Sequence, residues 1–306
     1  MVVNWTGIYP ALTTPFTPDD KLNLNLFEKN LVAHVDAGID GIILGGTLGE
    51  SSVLSTGEKE KLVKFAVEKV AGNIPVILNI AEGSTREALL QVEYAKRWGA
   101  QGLMVLPPMR YKSDHRETVE WFKTIGNATD LPLIVYNNPV DYKTLITLDM
   151  LDEMQECMNI EAVKESTRDV TNVTRMRNRF DNRYKILCGV DTLAMEELCL
   201  GADGWVAGLV CAFPRETVAI YRLVKSGRLE EAIQIYRWFM PLLEMDIHPK
   251  LVQYIKLAEQ EEGMGSEAVR APRLILEGKE REEILKRIRD AIASRPELPD
   301  YLKIEI

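Results

Sequence analysis

Eight short apolar runs recur along the chain, each followed by a segment with helical spacing. This repeat limits the fold more than any other feature. The runs are GIYPALTTPF, GIILGG, PVILNI, GLMVLPP, PLIVYNNP, IEAVKEST, KILCGVD and GWVAGLV, starting near Gly7, Gly41, Pro75, Gly102, Pro132, Ile160, Lys185 and Gly204. Their apolar character is continuous rather than alternating, which marks strands buried on both faces and hence a parallel sheet. The intervals leave room for one helix each, so eight strand–helix units predict a closed (β/α)8 TIM barrel.

The intervening segments carry helix punctuation. Ser55 and Glu58 open STGEKEKLVKFAVEKV as a capping box, with Leu62, Phe65, Ala66 and Val70 on one stripe. STREALLQVEYAKRWGA ends at Gly99 behind Lys96 and Arg97, the charges favoured at a helix carboxyl end. Past about Ser226 the strand signal stops. EEAIQIYRWFMPLLEM, PKLVQYIKLAEQ and EREEILKRIRDAIA read as three amphipathic helices, dividing the chain into a barrel over 1–226 and a helical extension over 227–306. In the last of them Ile284, Leu285, Ile288 and Ile292 form a stripe suited to packing on the barrel or on another subunit.

A formal charge of −9 over 306 residues argues against nucleic acid or an anionic membrane as partner. The amino terminus has no basic segment followed by an apolar run, and no window reaches the length of a membrane span. Cys157, Cys188, Cys199 and Cys211 form no C-x-x-C pair. A cytoplasmic protein with reduced thiols is expected. His34, His115 and His248 stand far apart in no ligand motif and no dinucleotide fingerprint or P-loop occurs, so no metal or organic cofactor is expected, a magnesium site built from Asp and Glu being the alternative.

Barrel active sites gather at the carboxyl ends of the strands, which directs attention to polar residues late in the apolar runs. Lys164 interrupts IEAVKEST on the face shared by Ile160 and Ala162. Desolvation there lowers an ammonium pKa and leaves neutral amine able to attack a carbonyl. A resting ion pair with Glu165 or Asp191 is the other reading. Tyr136, on the neighbouring strand, is either a proton donor and acceptor or a wall residue. GGTLGES places Gly46, Thr47 and Leu48 after strand two, where exposed N–H groups form a carboxylate nest or simply a tight turn.

With GGTLGES, YNNP, VKES and CGVD in that order on strands two, five, six and seven, the chain resembles the dihydrodipicolinate synthase and N-acetylneuraminate lyase family. The resemblance covers nearly the whole chain. It implies that Lys164 forms a Schiff base with a 2-oxo acid, that Tyr136 shuttles protons, and that the Thr47 region holds the substrate carboxylate. Gly46, Leu48, Gly189, Asp191 and Val206 fall on substrate-contacting positions, with Asp191 matching one that meets substrate hydroxyls in the sialic acid lyases. A homotetramer is also implied.

Three departures bear on substrate. The synthases have an arginine for the second substrate's carboxylate where this chain has Asp141, which would repel that group. They have a second threonine where Leu48 stands, and a relay tyrosine after strand four where Met109 stands, with Tyr111 the nearest hydroxyl able to replace it. These departures turn the expectation from lysine biosynthesis to a catabolic branch. YNNPVDYK and DIHPKLVQYIKLA resemble the deaminases of 1-pyrroline-4-hydroxy-2-carboxylate in hydroxyproline breakdown. A 2-keto-3-deoxy sugar acid dehydratase or aldolase, 4-hydroxy-tetrahydrodipicolinate synthase, and a barrel that binds a small acid without turnover are the alternatives.

Overall fold

The computed structural model describes residues 3–108 and 110–306. The eight apolar runs form β1 (Gly7–Pro10), β2 (Ile42–Leu44), β3 (Val76–Ile80), β4 (Gly102–Val105), β5 (Leu133–Asn137), β6 (Ile160–Glu165), β7 (Lys185–Cys188) and β8 (Gly204–Ala207). From β2 through β8 each strand pairs in parallel with its sequence neighbours, and β8 also pairs with β1. A parallel bridge from Ala11 to Ile43 joins β1 to β2 and closes the barrel. Nearly every strand residue is buried, which is why no alternation was visible in the sequence.

The described residues form twelve α-helices: α1 (Leu24–Asp36), α2 (Thr56–Val70), α3 (Thr85–Trp98), α4 (His115–Asn127), α5 (Pro139–Tyr142), α6 (Leu148–Met154), α7 (Thr171–Phe180), α8 (Ala194–Cys199), α9 (Pro214–Lys225), α10 (Leu229–Leu243), α11 (Leu251–Glu261) and α12 (Gly278–Ala293). Ser55 and Glu58 form the expected reciprocal cap of α2, and α3 ends at Gly99 in the left-handed region with φ of 91°. The last three helices make the carboxyl-terminal extension. Ile284 and Ile288 of α12 are buried, with Leu285 and Ile292 partly so, and α12 packs on α10 and α11. Phe213 at the end of β8's loop meets Trp238 and Phe239 of α10, seating the extension on the barrel.

The extension also grips the barrel mouth. Lys256 of α11, fully buried, donates to Glu50 Oε1 at 2.7 Å and to the Thr14 carbonyl at 2.9 Å. Thr13 Oγ1 donates to the buried Glu259 carboxyl at 2.7 Å, and Arg270 forks onto Glu58 at the start of α2. Glu50 itself has φ of 53°, so the turn after β2 is held in a left-handed bend by a charge from the opposite end of the chain.

Candidate active site

The carboxyl ends of β2, β5, β6, β7 and β8 surround Lys164. In the β5–β6 ladder Tyr136 is the register partner of Lys164, so the lysine and the phenol are adjacent because their strands pair. Lys164 is 6% exposed, and its Nζ lies 3.9 Å from the Tyr136 ring centroid. Burial pushes its ammonium pKa down, opposed by the nearby Tyr142, Asp246 and Asp191. The two carboxylates that might have paired with it are engaged elsewhere. Glu165 accepts from the Thr167 N–H and from Asn172 Nδ2, both at 2.7 Å. Lys164 is therefore a poorly hydrated amine at the mouth of a barrel, the condition for nucleophilic attack on a carbonyl.

Asp191 lies deeper than Asp141 and Asp246. Expected to meet substrate hydroxyls, it is fully buried, and its oxygens accept from Trp205 Nε1 at 2.8 Å, from the Leu209 N–H at 2.7 Å and from the Gly208 N–H at 3.1 Å. With that many donors already bound it fastens the turn after β8 rather than offering itself to a ligand. The acid nearer the cavity is Asp246, just beyond α10, which the sequence reading missed. A β-carbon at Gly208 would lie 2.2 Å from Asp246 Oδ1, so the glycine makes room for it. Burial and the Asp191 charge push the Asp246 carboxyl well above its usual range, and Lys164 pulls it back. No strand or helix period marks Asp246, because it sits in a loop brought to the barrel by the extension.

The other expected residues divide by role. Asp141 is exposed at the rim on the one-turn helix α5, where Asn138 Nδ2 donates to its carboxylate at 2.7 Å and to the Tyr136 hydroxyl at 3.2 Å. Gly189 follows β7, and a β-carbon there would stand 2.1 Å from Ser166 Oγ and 2.6 Å from Lys164 Cε, so its role is to admit the lysine stem. Val206 is packed within β8, and Leu48 forms a buried apolar wall. Gly46 is buried in the turn after β2, which Asn79 Nδ2 pins by donating to the Gly45 carbonyl at 2.9 Å. Among the described residues, the N–H groups of Thr47 and Leu48 have no protein acceptor.

Met109 lies outside the described residues. Tyr111 is 53% exposed, beside Glu117. The phenol of Tyr142, another residue the sequence reading passed over, lies 2.8 Å from Thr47 Oγ1 and packs edge-on to Tyr136 with ring centroids 5.4 Å apart.

A lysine and a tyrosine on adjoining barrel strands invite comparison with known proteins. The family model described as "Dihydrodipicolinate synthetase family" matches residues 4–291. The chain belongs to that family. Its members are lyases that work through a lysine Schiff base, and this chain is a Schiff-base lyase of that kind. Among its relatives, the 4-hydroxy-tetrahydrodipicolinate synthase of Aquifex aeolicus is 33% identical over 240 residues, covering 78% of this chain and 81% of its own. That of Endomicrobium trichonymphae is 29% identical over 289 residues, covering 94% and 98%. The crystal structure of dihydrodipicolinate synthase from Aquifex aeolicus superposes with a TM-score of 0.88 at 30% identity, over 94% of this chain and 97% of that one. The chloride-inhibited synthase from Acinetobacter baumannii, complexed with pyruvate, gives 0.88 at 26% identity over 94% and 99%. Among the described residues no helix is long and apolar enough to cross a membrane.

Proposed function

We propose that this lyase acts on a small hydroxylated 2-oxo acid or cyclic-imine acid, and that its substrate is 1-pyrroline-4-hydroxy-2-carboxylate, which it deaminates. The observation that carries this reading is Asp141: a carboxylate, tied through Asn138 to the Tyr136 hydroxyl, occupies the rim where a carboxylate-binding arginine would serve the synthases. A carboxylate accepts hydrogen bonds from a hydroxyl or a cationic nitrogen and repels an anion. Asp246 adds a second acid whose charge is felt at Lys164.

Lys164 Nζ attacks the imine carbon bearing the substrate carboxylate, and the ring nitrogen leaves that carbon as an amine. The iminium acidifies the adjacent C–H, and loss of that proton expels the hydroxyl one carbon further on as water. Tautomerisation and hydrolysis release ammonia, and hydrolysis of the Schiff base frees Lys164. Substrate plus one water gives 2,5-dioxopentanoate plus ammonia. Tyr136 supplies and recovers protons at the nitrogen and at the departing oxygen, and the free N–H groups of Thr47 and Leu48 hold the carboxylate. The working unit in this proposal is a homotetramer in the cytoplasm.

Lys164→Ala should abolish the borohydride-trapped adduct that wild type forms with 2-oxo acids, read by intact mass. Turnover is then compared across the hydroxylated pyrroline, 2-keto-3-deoxy acids, N-acetylneuraminate, and pyruvate with aspartate semialdehyde. The relatives in Aquifex aeolicus and Endomicrobium trichonymphae are 4-hydroxy-tetrahydrodipicolinate synthases, which favours the last of these as a second reading. Dominant condensation with aspartate semialdehyde would overturn the role given to Asp141.

A further inference from the structure

Two glycines after neighbouring strands open the same space. Gly189 and Gly208 follow β7 and β8, on the inward face defined by the register of Lys164 with Leu187 and of Leu187 with Gly204. The Lys164 stem crosses the first glycine. The Asp246 carboxyl lies over the second, where a β-carbon would stand 2.2 Å from its Oδ1 and 3.2 Å from Leu48 Cδ1. The extension delivers that carboxyl. Tyr236 of α10 donates to the Asp191 carbonyl at 3.0 Å, and just past the helix the Asp246 N–H donates to the Leu243 carbonyl at 3.0 Å, with the Asp246 carboxyl facing the Asp191 N–H. Lys164 and Tyr136 both feel its charge. Among the described residues no side chain donates to Asp246, whereas Asp191 already accepts from Trp205, Gly208 and Leu209. Of the two acids, Asp246 is the one with lone pairs to spare.

We propose that Asp246 is the base that takes the proton from the carbon next to the Schiff-base carbon and later returns one to that same carbon. The inference rests on the Schiff-base reading of Lys164 and on the substrate class proposed above. Once Lys164 is an iminium, the C–H bond beside it breaks, its electron pair forms C=C, the C=N pair returns to nitrogen as a lone pair, and the proton goes to the Asp246 carboxylate. The lone pair then re-forms C=N, the C=C pair shifts one bond along, and the C–O bond of the hydroxyl breaks, the oxygen leaving as water with the Tyr136 proton. During tautomerisation the Asp246 proton returns to the carbon it came from while the amine-bearing carbon loses one to solvent, so the carboxylate ends as it began. Burial and the Asp191 charge push the Asp246 carboxyl up, which makes its carboxylate the stronger base, and the fixed positive charge of the iminium keeps it ionised when it is needed. Burial holds the Tyr136 phenol protonated, so the tyrosine is fitted to give a proton at oxygen rather than to take one from carbon.

Asp246→Asn keeps the shape and removes the basic oxygen. Pyruvate is the probe, because its methyl protons exchange with D2O only through the enamine, read by NMR, while borohydride and intact mass read the iminium. In Asp246→Asn the exchange rate should fall about a hundredfold, with the trapped adduct at saturating pyruvate and the Tm both at their wild-type values. Should that variant not fold, Gly208→Ala carries the same comparison, since its methyl displaces the Asp246 carboxyl and should slow exchange at least about tenfold. Wild-type exchange in the variant overturns the role of Asp246 while leaving the Schiff base intact. Loss of trapping together with exchange, at wild-type Tm, makes Asp246 a partner of the amine and also overturns its role at carbon. No adduct in wild type overturns the Schiff-base reading, and the base with it.

Discussion

Lys164 and Gly189 form a pair in which the smaller residue sets the position of the larger. The lysine stem and the buried Ser166 hydroxyl fill the space where a side chain at 189 would stand. Gly189→Ala should therefore move Nζ away from Tyr136, cutting pyruvate adduct formation at least about tenfold while overpacking costs about 1–3 kcal/mol of stability. A denaturant melt with the trapping assay measures both. Asp141 is open to solvent and makes no contact with Lys164's stem, so its contribution is to substrate choice. Asp141→Asn should lower kcat/KM for the hydroxylated substrate by about 1.5–3 kcal/mol while leaving pyruvate trapping at its wild-type rate. An equal loss in both assays would show that Asp141 supports the chemistry itself. Lys164 and Tyr136 were legible in the sequence because each is a polar residue near the end of a strand. For Asp191 the sequence was silent on its surroundings, since a period of two cannot tell whether a carboxylate's oxygens accept from distant N–H groups.

The turn from Gly45 to Glu50 shows how one element depends on another far away in sequence. Glu50 is wholly buried, and its charge is met by Lys256 from α11, while its other oxygen accepts from the Arg270 N–H at 3.1 Å. Removing one member of a buried pair leaves the other uncompensated. Lys256→Met should cost about 3–5 kcal/mol, and pairing it with Glu50→Leu should recover most of that loss, measured by chemical denaturation. The single variant should also slow adduct formation, because the turn carrying Thr47 is loosened along with Glu50. The sequence marked α2 and α3 clearly, where caps and stripes are local signals. It gave no sign of α5, whose four residues are too few for a period and whose place is fixed by Asn137 reaching across to Ile146.

At the scale of the whole molecule, Glu197 and Glu259 sit in surroundings that favour the neutral carboxyl. Burial, reinforced by Glu165, pushes Glu197 up to about 8, and burial pushes Glu259 up to about 8 although Thr13 donates to it. Both are near the ordinary carboxylate value in the unfolded chain, so the folded state holds its protons to higher pH. Stability from these groups is complete below the unfolded value and is lost as pH rises through about 8. Tm should fall between pH 7 and pH 9, and Glu197→Gln, whose oxygens now lack any partner, should flatten that fall. A Tm that rises across this range would contradict the assignment. The fold itself was readable in advance, because eight apolar runs at helix-long intervals leave few arrangements other than a barrel, and pairing strands five and six brings Tyr136 to Lys164. The neighbours of that pair were decided only in three dimensions: Tyr142 against Thr47, Asp246 arriving from the extension, and Asp191 withdrawn beneath the turn after β8. Periodicity records which way a side chain faces within its own element. Whether that side chain is satisfied, unpaired or poised depends on donors and charges supplied by segments more than two hundred residues away.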